Sequence, residues 1–150
     1  MTDTDPAKND AFDLQDFLPY LLNRAAEECS LEFQRVYKER YGMLRTEWRV
    51  LFHLGNYGEM TAKEIGERAR IHKTKISRAV SKLEQRRYLT RTPSQNDRRV
   101  EHLTLTSAGQ SVYRDLREVA KRYDARLVNM IGLDDASQLR GMLRKLADMG

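Results

Sequence analysis

The residues of this chain best suited to chemistry lie between Ile71 and Arg99, and that chemistry is recognition of a polyanion, not bond making. Lys73, Thr74, Lys75, Ser77, Arg78 and Lys82 fall on one side of a helical register. Ile76, Ala79, Val80 and Leu83 recur at i, i+3, i+4 and i+7 on the other, so a helix here buries an apolar stripe and presents hydroxyls and cations. Short hydroxyls reach base edges, cations reach guanine or phosphate, and an α-helix fits a major groove. Downstream, Asp97, Arg98 and Arg99 end a polar turn with a second cationic point.

Charge is segregated along the chain. From Arg68 to Arg99 there are 11 Lys or Arg against two acids, Glu84 and Asp97. The whole chain has 27 basic and 22 acidic residues, so everything outside this segment carries 16 against 20 and is net acidic. A single basic segment in an otherwise acidic protein is aimed at a polyanion. A merely solvated, charged helix is the plain alternative for any run of charge, but it leaves the sign segregation and the Arg98-Arg99 pair without a reason.

Other chemistries find little support. Cys29 is the only cysteine, so no intramolecular disulfide forms, and His53, His72 and His102 are scattered without metal-ligand spacing. There is no phosphate-cradling Gly-rich loop and no nucleophile elbow. No enzyme, metal or cofactor is expected. No apolar run approaches the roughly 20 residues of a membrane span, and the N-terminus lacks a basic-then-apolar leader, which makes the cytoplasm the expected compartment. At 150 residues, 40% hydrophobic and 33% charged, the chain suits one domain with helical extensions.

The elements that must position the basic helix follow from periodicity and punctuation. Residues 1–13 read as a flexible polar tail. Residues 14–42 read as a long helix on Leu14, Phe17, Leu18, Leu21, Leu22, Ala25, Phe33, Val36 and Tyr37, with Pro19 as a bend or a first-turn residue. Residues 43–106 hold a helix from Thr46 to about Leu54, with Gly55 and Gly58 bracketing its end, and then a helix opened by a Thr61–Glu64 capping box. Small Gly66 lets the basic helix cross closely, completing a helix-turn-helix. Strands at Tyr88–Arg91 and Val100–Leu105 flank turn chemistry, making a wing with Arg98 and Arg99 at its tip. Residues 107–150 read as a long helix to about Met130, ended by Gly132, and a last helix started by Asp134 or Asp135. Both terminal segments carry more apolar surface than a small winged domain can cover. Pairing two copies across a two-fold axis covers it. The fold class is thus mainly α (α+β), a winged helix-turn-helix with N- and C-terminal dimerisation helices.

From about Leu18 to Leu146 the chain resembles the MarR family, the multiple antibiotic resistance regulators of bacteria and archaea. The resemblance is carried by Thr46-Glu47-Trp48-Arg49-Val50-Leu51, Lys73-Thr74-Lys75-Ile76-Ser77-Arg78-Ala79-Val80, Asp97-Arg98-Arg99 and Leu103-Thr104-Leu105-Thr106-Ser107-Ala108-Gly109, in this order and spacing. It implies a homodimeric winged helix-turn-helix transcriptional regulator, a repressor, on a pseudo-palindromic operator of double-stranded DNA. It places the basic helix in the major groove and the wing in the flanking minor groove. Arg99 would enter that groove while Asp97 orients its guanidinium by a charge-assisted bond, or else Asp97 only stabilises the turn. Two positions depart from the family: Leu44 where a capping Ser or Thr is common, and Arg70 where the turn often holds glycine.

The resemblance also implies release from DNA by a small aromatic or phenolic anion in a cleft between the dimerisation helices and the winged domain. Tyr20, Arg24, Trp48, Arg49, His53 and Tyr113 supply aromatic rings and cations for such a cleft, against the plainer reading of Trp48 as core and Arg49 as an ion-pair residue. Some relatives sense peroxide through a first-helix cysteine. Glu27 and Glu28 beside Cys29 raise a thiol pKa, so a buried, inert cysteine is expected ahead of a redox-sensing one. The alternative function is a winged-helix module for non-specific nucleic-acid or protein contacts, but phosphate contact alone needs no short polar side chains on the groove face.

Overall fold

The structure is a computed structural model describing residues 11–150, so most of the expected N-terminal tail lies outside the described residues. A 3-10 turn, Leu14–Asp16, opens on Asp13, whose carboxylate accepts the Gln15 N–H at 2.9 Å. Helix α1 (Leu18–Tyr41) then begins with Pro19 in its first turn. Of the two readings of Pro19 the first-turn one is realised, and the residues before it stand apart from the helix, because a prolyl ring inside a helix continuous from Leu14 would clash with the carbonyl four residues earlier. Helix α2 (Arg45–Tyr57) starts one residue before the expected Thr46. Leu44 has no side-chain acceptor for capping, and the buried Glu47 carboxylate compensates by accepting the Leu44 N–H at 2.9 Å. Gly55 lies inside α2 facing the Tyr113 ring, not at the helix end, and Gly58 terminates the helix.

The helix-turn-helix follows as expected, with one addition. A two-residue strand, β1 (Met60–Thr61), precedes α3 (Ala62–Ala69), and Thr61 serves both. Its hydroxyl accepts the Glu64 N–H at 3.1 Å while the Glu64 carboxylate accepts the Thr61 N–H at 3.4 Å, a reciprocal capping box. Helix α4 (Lys73–Gln85) starts at His72, whose Nδ1 accepts the Thr74 N–H at 3.2 Å. Strands β2 (Leu89–Pro93) and β3 (Glu101–Leu105) sit a residue or two from their expected bounds. β3 is central and antiparallel to both neighbours, pairing Leu103 with Met60 on one side and with Arg91 on the other. Thr106 accepts the Gly109 N–H at 3.0 Å and starts α5 (Ser107–Ile131). Gly132, not an aspartate, occupies the N-cap of α6 (Leu133–Ala147); Asp134 and Asp135 lie in its first turn, where their charge favours the helix dipole.

One core joins these elements. Ile76, Ala79, Val80 and Leu83 of α4 are all buried, against Val50, Leu51 and Leu54 of α2, Ile65 of α3 and Leu103 and Leu105 of β3. A Cβ on Gly66 would lie 3.2 Å from the Ile71 carbonyl oxygen, so a small residue there permits the close crossing. Arg70 ends α3 in the left-handed region, φ 54°, at a cost of about 1 kcal/mol relative to glycine.

The terminal helices attach at their inner ends. Arg86, at the end of α4, donates one guanidinium nitrogen to the Tyr41 carbonyl and the other to the Gly42 carbonyl at 2.8 Å. Arg40 of α1 reaches both carboxylate oxygens of Asp115 on α5 at 3.0 and 3.1 Å, and the Tyr41 hydroxyl donates to the same carboxylate. Midway, Arg126 pairs with Glu32 at 2.9 Å and the Tyr123 hydroxyl donates to the Cys29 carbonyl at 2.6 Å. Cys29 itself is exposed on the single chain, contrary to the buried cysteine expected. Beyond these contacts the apolar side chains of α1 and α6 stand open: Leu18 is 62% exposed, Leu133 77% and Met142 58%.

Two stability measurements check this packing. A Cβ at Gly109 would press into the Tyr88 backbone carbonyl, which cannot rotate aside, so Gly109→Ala should cost about 3 kcal/mol in denaturant unfolding. Burial, and then the Asp115 carboxylate, push the Tyr41 hydroxyl from its ordinary 10.0 up to about 12. The Tyr41 hydroxyl and Arg40 in turn hold the Asp115 carboxyl below its ordinary 3.8. A raised tyrosine pKa leaves the contact's contribution complete below pH 10 and erodes it from there to about 12, because the unfolded chain ionises first. Tyr41→Phe should therefore be less stable than the parent at neutral pH by about 1 kcal/mol, with the gap narrowing over that alkaline window.

Candidate nucleic-acid interface

Burial of one stripe sets the rotation of α4 about its own axis. With Ile76, Ala79, Val80 and Leu83 turned inward, Lys73, Thr74, Lys75, Ser77, Arg78 and Lys82 are all exposed, and they form the outer face as expected. The His72 cap leaves the imidazole on the N-terminal N–H groups, so the first turn, which carries Lys73, Thr74 and Lys75, is held in regular helix.

The wing stands beside that face. Asp97 accepts the Arg99 backbone N–H at 3.0 Å and the Arg99 Nε at 3.3 Å, so one carboxylate both shapes the turn and holds the guanidinium. The Arg99 side chain is 92% exposed even while paired, and Arg98 is exposed next to it. Between α3, α4 and the wing runs a groove of about 790 Å³. Lys63, Lys73, Ser77, Arg91 and Arg99, together with the acids Glu67 and Glu101, are in its polar wall, where cations outnumber acids; Ile76, Val80 and Leu103 are among its apolar floor.

Arg91 escaped the sequence reading. From β2 it donates Nε to Glu84 at 3.1 Å and Nη2 to Ser81 at 3.1 Å, tying the wing's base to the recognition helix. Its signal was an arginine at an inward register position, opposite Leu103, where an apolar residue belongs. Arg86 was missed because its carbonyl partners lie more than 40 residues away, whereas His72 caps locally, two residues ahead of Thr74, in a role more usual for Ser, Thr, Asp or Asn.

The six residues expected around an effector are only partly gathered. Trp48 packs edge-on against Phe33 and Phe52, each with ring centroids 5.2 Å away, and Phe52 meets Tyr113 at 5.3 Å. The Tyr113 hydroxyl donates to Asn56. Arg49 donates to the Ala69 carbonyl at 2.9 Å, and burial, aided by the like charge of Arg45, lowers its pKa from the usual guanidinium value. His53 sits with Nδ1 2.6 Å from the Arg49 carbonyl. Tyr20 and Arg24 lie near the start of α1, with Arg24 roughly 13 Å along the helix from Phe33, where Trp48 packs. None of the six lines the groove beside the wing, or a smaller crevice of about 170 Å³ walled by Phe33, Val36, Arg122, Tyr123 and Arg126. Among the described residues no three His, Cys, Asp or Glu side chains gather as a metal site, and no helix is long and apolar enough to cross a membrane.

Comparison with known proteins places this arrangement. Residues 41–100 match the family model described as MarR family. The HTH-type transcriptional regulator FarR of Neisseria gonorrhoeae is 26% identical over 127 residues, covering 84% of this chain and 86% of FarR. The HTH-type transcriptional repressor MdtR of Bacillus subtilis is 28% identical over 109 residues, covering 73% and 70%. Among solved structures, a MarR family transcriptional regulator of Silicibacter pomeroyi superposes with a TM-score of 0.80 at 25% identity, over 92% of this chain and 98% of its own. BpsR of Bordetella bronchiseptica gives 0.85 at 18% identity, over 93% and 99%. Residues 41–100, which hold the reading helix and most of the wing, are thus similar to the MarR family, and the chain as a whole shares the fold of solved MarR family transcriptional regulators.

Proposed function

We propose that the chain acts as a homodimer that represses transcription from a pseudo-palindromic operator and leaves it on binding a small hydroxylated aromatic acid. The observation that carries the DNA part is the groove whose walls hold both Ser77 of the recognition helix and Arg99 of the wing. A duplex with α4 in its major groove must pass its sugar-phosphate strand between that helix and the wing, where Lys73, Arg91 and Arg99 are cationic. Lys73, Thr74, Lys75, Ser77 and Arg78 are the base-edge candidates; Lys82 and Arg98 suit phosphate; Arg99, steered by Asp97, suits a narrow minor groove.

Dimerisation rests on the open apolar faces of α1 and α6. Leu18, Leu21, Leu22, Leu139, Leu143 and Leu146 are each more than a third exposed, enough apolar surface to drive association in water. In this reading residues 14–42 and 107–150 form the dimerisation layer and residues 43–106 the DNA-binding region. The effector part is supported by the BpsR structure, described as regulated by 6-hydroxynicotinic acid, and by that of NadR, which holds 4-hydroxyphenylacetate. Trp48, Arg49, His53 and Tyr113 offer rings and a cation around α2, while Tyr20 and Arg24 lie apart from them near the start of α1.

Binding to fragments of the gene's own upstream DNA and to scrambled DNA, over a salt series, tests the proposal. A preference of roughly a thousandfold for one palindrome is expected, with sedimentation at twice the 17.6 kDa chain mass. Arg99→Ala should weaken that binding by about 1 to 3 kcal/mol, and Ser77→Ala should change which sequence is preferred. Equal, steeply salt-dependent binding to all DNA would reduce the protein to an electrostatic binder.

A further inference from the structure

The last turn of α1 is held from two sides at once. Gly42 ends the helix in the left-handed region, φ 61°, donating its N–H to the Lys38 carbonyl at 2.8 Å, and the Met43 N–H returns to the Tyr37 carbonyl at 3.2 Å. This closes the helix end but leaves the Tyr41 and Gly42 carbonyls pointing outward. Arg86 takes both of them with its two terminal nitrogens. Arg86 is also the C-cap of α4, its own N–H donating to the Lys82 carbonyl at 3.1 Å. A planar guanidinium with two parallel donors on successive carbonyls fixes direction as well as distance, and its charge is favoured by the negative end of the α1 dipole. A Cβ on Gly42 would meet that guanidinium only in ordinary contact at 3.4 Å, so the glycine serves the left-handed φ of this turn and not the space for Arg86. On the opposite flank, Arg40 and Tyr41 grip Asp115 of α5.

We propose that Arg86 is a positioning residue that fixes the recognition helix relative to the dimerisation layer, and thereby sets the half-site spacing the protein accepts. The inference rests on the dimeric, two-half-site reading above. In that reading the terminal helices carry the two-fold axis and α4 carries the reading face, and the turn spanning Lys38 to Gly42 is where hydrogen bonds from α4 and from α5 meet. Half-sites one helical turn apart place the two reading faces about 34 Å from each other, and one added base pair changes that by about 3.4 Å with a rotation of about 35°. A joint made of directional hydrogen bonds resists such a change; a joint made only of apolar contact slides. Arg86 shares the end of α4 with another directional bond to the terminal helices, the Thr106 hydroxyl donating to the Arg87 carbonyl at 2.6 Å, but among the described residues it alone ties α4 to the end of α1.

The test measures affinity of the full-length protein for an isolated half-site and for operators with the spacing shortened or lengthened by one and two base pairs. The parent should favour one spacing over its neighbours by about tenfold or more. Arg86→Ala should flatten that preference to within about threefold while half-site affinity stays within about twofold, and Arg86→Lys should fall between. An unaltered spacing profile in Arg86→Ala would overturn the proposal. So would an equal loss on half-site and full operator, which would make Arg86 a direct DNA contact. Should Arg86→Ala fail to fold in thermal melting, Asp115→Asn loosens the same turn from its other flank and is expected to flatten the profile likewise. A parent protein indifferent to spacing would instead remove the paired half-site reading itself.

Discussion

The structure depends on the burial of four residues of one helix. Ile76, Ala79, Val80 and Leu83 are each less than 5% exposed, and placing the larger of them in the core contributes about 1.5 to 3 kcal/mol apiece. That burial permits one rotation of α4 about its axis. Which side chains face outward is therefore decided by the core and not by the DNA, and the outward set is short hydroxyls and cations. Everything around α4 then serves its position. The His72 cap fixes its start, Arg86 ties its end to α1, the small Gly66 lets α3 cross beneath it, and Arg91 brings the wing alongside.

Local strain is accepted where arginine serves at a turn. Arg70 and Arg87 both adopt positive φ, at 54° and 63°, at the ends of α3 and α4 where glycine would be unstrained. Each adds a cation at the margin of the basic segment, so the chain gives up a little stability and keeps a positive surface. The outer apolar residues of the terminal helices stand open, and directional contacts join those helices to the winged core, such as Arg86 on the Tyr41 and Gly42 carbonyls.

Much of this was legible in the sequence because it rests on period and punctuation. The α4 stripe, the Thr61–Glu64 box, the Thr106 cap and the alternation through Leu103 and Leu105 are local patterns, and they placed the helix-turn-helix and wing to within a residue or two. What stayed hidden depends on partners distant in sequence. The two-residue strand at Met60 exists because β3 pairs with it, and Arg86 finds its carbonyls more than 40 residues away. The expected effector cluster was assembled from residue types alone. Packing consumed Trp48 in an aromatic cluster and Arg49 at the end of α3, and it kept Tyr20 and Arg24 at the far end of α1.

The most direct test is a hydroxyl-radical footprint of the protein on DNA from its own upstream region. The account predicts two protected tracts related by two-fold symmetry, about one helical turn apart, each a major-groove segment flanked by minor-groove protection from the wing. A single asymmetric tract, or even protection of any duplex offered, would contradict a dimer that reads two half-sites.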